Sequence, residues 1–251
     1  MLRNRISKLM AVAIVAMVAM MGAGQVQAIV VDPGNSLIPV GLGAGDSFQL
    51  AFVTSTRTNR DSGGGADNHG IGFWDGYVNT SASGSTLAGI SGLNWKAMVS
   101  VKGNGDARDH AVVSGPVYRT DGALLANDFA DMWDGTIANN LSLDESGNAV
   151  STGSQGHLVW TGDVSNYSSP GLTGGYELGD GTDAAQVGVL NNAAWHSYGA
   201  HFRRGPTSTA RVYALSEVIQ IEAASSVPEP ATATLALLGL SGLMMRRRRN
   251  A

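Results

Sequence analysis

Apolar residues fall on every second position in some stretches of the chain and on every third or fourth in others, and the two spacings predict different elements. In residues 47–54, Phe48, Leu50 and Phe52 take alternate positions and predict a strand with one face on the core. Trp95, Ala97, Val99 and Val101 alternate with Lys96, Met98, Ser100 and Lys102 and predict another. Short apolar runs at 117–119, 157–161 and 211–216 predict three more strands, the last running on to Ile221. Phe73, Trp74, Tyr77 and Val78 lie at helical spacing and predict a short helix pressed on the core. Phe129, Met132 and Trp133 share one side of a helical turn over 128–133.

Turn chemistry separates these segments. Thr120, Asp121, Gly122 and Ala123 read as a tight turn, and the polar, glycine-rich residues 55–70 as a loop. The glycines at 41, 43 and 45 stand before a strand. A dinucleotide-binding loop would follow a strand and open a helix, so these glycines predict a turn and no cofactor. With no repeat of fixed period, the pattern predicts one α+β domain over residues 29–226, built of short strands, one or two short helices and long loops.

The two ends are patterned differently. Arg3, Arg5 and Lys8 precede an apolar run at 9–21, and Val26, Gln27 and Ala28 offer a small-residue cleavage site. Residues 1–28 therefore read as a signal peptide ending at Ala28. The apolar run falls short of the roughly 20 residues that span a bilayer comfortably, which favours cleavage over anchoring. At the other end Pro228, Glu229 and Pro230 are followed by a predominantly apolar stretch of 15 residues at 231–245 and by Arg246, Arg247, Arg248 and Arg249. The prolines keep the start of the segment out of regular helix, and the arginines hold its far end on the cytoplasmic side. Fifteen residues make a thin span, tolerable by local thinning of the bilayer.

This tail, residues 227–251 with VPEPATATLALLGLSGLMMRRRR at 227–249, resembles the PEP-CTERM sorting signal. The resemblance implies recognition by an exosortase-type membrane transpeptidase and cleavage near Pro228, Glu229 and Pro230. It also implies transient insertion in the inner membrane, then delivery to the surface or outside of a Gram-negative bacterium, in the company of exopolysaccharide. A plain C-terminal anchor is the alternative.

Charge and composition narrow the rest. The ends hold seven of the 16 basic residues and one of the 20 acids, so the remaining chain carries nine basic and 19 acidic residues, a net charge of −10. Nucleic acid and anionic lipid both need basic patches, and neither suits such a partner. The absence of Cys excludes a disulfide scaffold, a thiolate zinc site and a cysteine nucleophile.

Motifs of catalysis are absent: there is no Gly-x-Ser-x-Gly, and His196 and His201 lack the spacing of a zinc helix. Asp106 and Asp109 suit either calcium, which takes hard oxygen ligands, or an ion pair with Arg108, which we favour. Asp128, Asp131 and Asp134 recur every third residue and are weak calcium candidates, against capping and solvation. Asp180, Gly181, Thr182 and Asp183 resemble a fragment of a calcium loop without its terminal Glu. Trp95, Trp133 and Trp160 sit in core-like patterns. Trp195 and Tyr198, among Gly and Asn, are the best candidates for an exposed aromatic patch that stacks on sugar.

The ordered series WKAMVS at 95–100, DARD at 106–109, GPVY at 115–118, TDG at 120–122, MWDG at 132–135, DESG at 144–147 and VWTG at 159–162 is similar to the endostatin-like branch of C-type-lectin-like domains. The resemblance implies a C-type-lectin-like fold. Its calcium-dependent sugar site does not carry over, because no Glu-Pro-Asn or Gln-Pro-Asp occurs in the domain. Nor does a histidine-rich N-terminal zinc site, because residues 29–32 contain no His. The chain thus reads as an exported protein with a non-catalytic binding or structural role beside exopolysaccharide. Signal peptidase and exosortase are its processing partners, and calcium is its one conceivable cofactor. Two alternatives stand beside this: a secreted hydrolase using His and Asp on the loops, and a purely structural coat protein.

Overall fold

The computed structural model describes residues 28–60, 69–151, 157–162, 177–178, 185–190, 203–205 and 207–223. Its strands are β1 (Ile29–Val31), β2 (Ser47–Val53), β3 (Thr58–Asn59), β4 (Trp95–Ala97), β5 (Val117–Arg119), β6 (Leu124–Ala126), β7 (Leu158–Trp160), β8 (Ala185–Val189), β9 (Arg203–Arg204), β10 (Thr209–Ser216) and β11 (Ile219–Ile221). Its helices are α1 (Ile71–Ser83), α2 (Ala107–His110) and α3 (Phe129–Met132). The strands join one mixed sheet, in the order β1-β11-β2-β10-β7-β8-β9. The β5–β6 hairpin is attached through β2, and β3 and β4 through β10. Mixed strands with a few short helices make an α+β domain, as the patterning predicts.

The alternation at 48, 50 and 52 predicts one buried face, yet β2 is buried on both from Phe48 to Val53. Phe48, Leu50 and Phe52 enter a core cluster with Trp74, Val78, Trp95 and Trp160. Ala51 and Val53 enter a second cluster with Met98, Leu125, Met132, Tyr213 and Leu215. The small Ala51 and the polar Gln49 disguise the second face in the sequence. The strand from Trp95 is shorter than its alternation predicts, ending at Ala97. Beyond it Met98 turns into the second cluster, and Ser100 is buried where its hydroxyl accepts Ala107 N at 2.9 Å.

Helix α1 runs longer than predicted and buries Trp74, Val78 and Ala82, one stripe at i, i+4, i+8. Its N-cap, Gly70, has no side chain to give, so Asn104 supplies the acceptor for Ile71 N at 2.9 Å. The predicted strand from 211 to 221 divides in two. At the break Glu217 N donates to Asn94 O, and the Glu217 carboxylate accepts Asn94 N at 2.8 Å. In α3 only Met132 is buried, while Phe129 is 41% exposed. A four-residue turn cannot bring both onto the core.

Strand registers define two ends of the sheet. At the N-terminal end of β2, Ser47 pairs with Gln220 of β11, and Gln49 pairs with Val117 at the start of β5, itself beside Ala126 at the end of β6. At the C-terminal end of β2, Val53 pairs with Tyr213. The hairpin turn at 120–123 lies toward this second end, since Ala51 pairs with Arg119.

Gly162 closes β7 with φ +62°, and a Cβ there would lie 2.2 Å from Ser100 O. Both the backbone conformation and the clash forbid a side chain. Gly162→Ala is expected to destabilise the domain by more than about 2 kcal/mol, read as a lower urea midpoint at unchanged slope. A shift under about 0.5 kcal/mol would contradict this packing.

Candidate functional site

The richest polar cluster among the described residues sits where β2 ends. Arg211 of β10 donates from Nη1 to Thr54 O at 2.7 Å and, very closely, to Ser55 O. Ser55 N donates to Glu145 Oε2 at 2.9 Å, and the Ser55 hydroxyl makes a short bond to Oε1. Glu145 is only 5% exposed, and its carbonyl accepts the Ser85 hydroxyl at 2.5 Å. Thr56 and Tyr77 share a hydroxyl contact of 2.8 Å. Burial pushes the Tyr77 phenol above its ordinary range, and the nearby Glu145 charge adds to the shift. Burial lowers the Arg211 guanidinium, helped by the like charge of Arg57. Beneath these groups Arg60 is fully buried, 5.7 Å from the Trp160 ring centroid, and Trp160 Nε1 donates to Thr58 O at 2.9 Å.

The result is a fixed edge. Ser55, Thr56 and Arg57 are exposed, while Glu145, which holds Ser55, is buried and Arg211 is half-buried. Hydroxyls held in position by Glu145 and Tyr77 can hydrogen-bond a hydroxyl-rich ligand with little loss of side-chain entropy.

A second cluster forms where α1, β4 and α2 meet. Asp75 of α1 accepts from Ala97 N at 2.9 Å, Lys96 Nζ at 3.0 Å and His110 Nε2 at 2.8 Å. Burial alone would raise its carboxyl, but donation from His110, Ala97 and Lys96 outweighs burial and holds it below the usual carboxylate range. Neither cluster was legible in the sequence, because its bonded partners lie 21 to 157 positions apart.

The candidates singled out by sequence fare differently. Asp128, Asp131 and Asp134 do not converge as a calcium site would require. Asp128 caps α3 by accepting Asp131 N, Asp131 accepts Asn127 N and Nδ2, and Asp134 accepts Thr136 N and its hydroxyl. No group of three or more His, Asp or Glu is placed to hold a metal among the described residues. Asp106 lies 3.7 Å from Arg108, the ion pair favoured over calcium. Trp95 and Trp160 are buried, as is Trp74, and Trp133 packs beside the second cluster. Trp195, His196, Tyr198, His201 and the 180–183 fragment lie outside the described residues, as do Pro228, Glu229, Pro230 and the four terminal arginines. Ala28 is described, and β1 begins immediately after it. No helix among the described residues is long and apolar enough to cross a membrane, and the 231–245 segment is not among them.

Residues 226–249 match the PEP-CTERM protein-sorting motif. No curated protein matches the chain. The motif marks an exported protein that is a substrate for exosortase processing, and it covers the tail alone.

Because the Asp75 carboxyl is depressed, its contribution to stability is present above its unfolded value near 3.8 and is lost as pH falls through the lower folded value. Asp75→Asn is expected to cost about 1–3 kcal/mol at pH 7. The penalty should shrink as pH falls below the unfolded value near 3.8 and through the lower folded value. Urea unfolding of both proteins from pH 7 to pH 3 measures this, and a penalty independent of pH would contradict it.

Proposed function

We propose that the chain is an exported cell-surface or extracellular component of a Gram-negative bacterium, whose domain at 29–226 has a non-catalytic binding or structural role beside exopolysaccharide. The observation that carries this reading is the sorting motif at 226–249. On this reading signal peptidase removes residues 1–28, and the 231–245 segment inserts transiently in the inner membrane. Exosortase then cuts near Pro228, Glu229 and Pro230. The domain is of C-type-lectin-like kind, with Trp195 and Tyr198 as a candidate sugar-stacking pair and calcium as a possible cofactor. An excess of acids over bases and the anchored hydroxyls of Ser55 and Thr56 both support a partner rich in hydroxyls rather than nucleic acid.

A second reading, a secreted hydrolase, is favoured by one observation. Asp75 holds His110 Nε2 at 2.8 Å, which orients an imidazole as a base needs.

Expression of the chain in its producing bacterium tests the first reading. Wild type is expected to lose the C-terminal arginines and reach the surface, while replacement of Pro228, Glu229 and Pro230 by Ala leaves an unprocessed, membrane-bound form. Equal processing of both by C-terminal mass spectrometry would overturn it. A screen with generic ester and glycoside substrates separates the readings. Turnover abolished by His110→Ala would favour the hydrolase.

A further inference from the structure

Among the described residues, the last backbone hydrogen bond before the tail is Glu222 N to Val31 O, at 2.9 Å. Eight residues, 223–230, then separate the folded sheet from the first apolar residue of the sorting segment. Fully extended they reach at most about 28 Å. A compact domain of about 200 residues is roughly 40 Å across. The leash is thus shorter than the body it holds, and cannot carry the opposite end of the domain to the bilayer.

The described surface is organised along the same direction. Four large apolar side chains stand exposed: Val30 at 60%, Val112 at 52%, Phe129 at 41%, and a fully exposed Val40. Three of them gather at the tail-exit end. Val30 is on β1, which runs beside β11. The Val112 carbonyl accepts Gln49 Nε2 at 3.2 Å, near the start of β2. Phe129 follows Ala126, which pairs with Val117 beside Gln49. Val40 stands apart, since its neighbour Pro39 lies against Gly122 in the hairpin turn toward the opposite end.

We propose that this tail-exit end, with Val112 and Phe129 on its surface, is a membrane-apposed face that lies against the outer surface of the bilayer while the sorting segment is inserted. The inference rests on the tail being membrane-inserted. The occupant is a zwitterionic lipid surface rather than an anionic one, because Asp32, Asp46, Asp128, Asp131 and Glu222 lie on or beside the same elements. The short leash supplies the effective concentration, so the face needs no lipid affinity of its own. Cutting the tail therefore frees the domain. The same geometry turns the Ser55, Thr56 and Arg57 edge away from the membrane, toward the matrix.

The chain has no Cys, so single labels are unambiguous. The chain lacking residues 1–28 but retaining its tail is labelled at Val112→Cys, Phe129→Cys or Val40→Cys and reconstituted with phosphatidylcholine vesicles carrying a headgroup energy acceptor. Flotation reports insertion. Energy transfer is expected to be at least twofold greater from 112 and 129 than from 40. Inserting 20 Gly and Ser residues after Ser225 is expected to abolish the difference. Equal transfer from all three sites in floating protein would overturn the proposal while leaving insertion intact, and a difference that survives the longer leash would overturn the leash as its cause. Failure to float would overturn the insertion reading and the proposal with it.

Discussion

Strand β2 has no face left for water, and that constraint organises the domain. A strand buried on both sides must satisfy every polar group internally, since an unpaired buried amide costs about 1–3 kcal/mol. Gln49 is the test case, polar and in the middle of the strand, yet 3% exposed. Its amide donates to Ser216 O at 2.8 Å and Val112 O at 3.2 Å, while its carbonyl accepts Ser114 N at 2.7 Å. Ser216 answers with its hydroxyl, which accepts Leu50 N at 2.9 Å. These bonds stand where β2 changes partner from β11 to β10, so polar side chains fill the place that a continuous ladder would take.

From that shared wall the two cores grow outward, one under α1 and one under the β5–β6 hairpin and α3. The ends of the sheet then acquire different characters. One carries exposed valine and phenylalanine beside the strand that leads to the sorting tail. The other is stapled by Glu145 and Arg211 and presents hydroxyls and a guanidinium. Under the membrane-apposed placement proposed above, such a polarity sets one end toward lipid and the other toward the surroundings.

Much of this was legible in residue order. The α+β class, the strand at 117–119, the turn at Gly122 and the helix around Trp74 follow from local spacing, because each is built by residues a few positions apart. The tail was legible for the same reason. What escaped depends on partners far along the chain. The second buried face of β2 is written in small or polar residues that look surface-like. The break at Glu217 is set by Asn94, 123 positions away. Ser55 and Glu145 are 90 apart, and no spacing rule joins them. The aspartates at 128, 131 and 134 read chiefly as capping or solvated groups, with calcium the weaker candidate, and Asp128 does cap α3.

Native-state hydrogen exchange of the chain tests the central role of β2 most directly. If β2 and β10 form the common wall of both cores, their amides should be the slowest and should exchange together, only through global unfolding, with β1 and β11 opening earlier. Residues of the two core clusters should then lose protection at one denaturant concentration. Two separate unfolding steps, with β2 released alongside one cluster while the other persists, would contradict a single domain built on that strand.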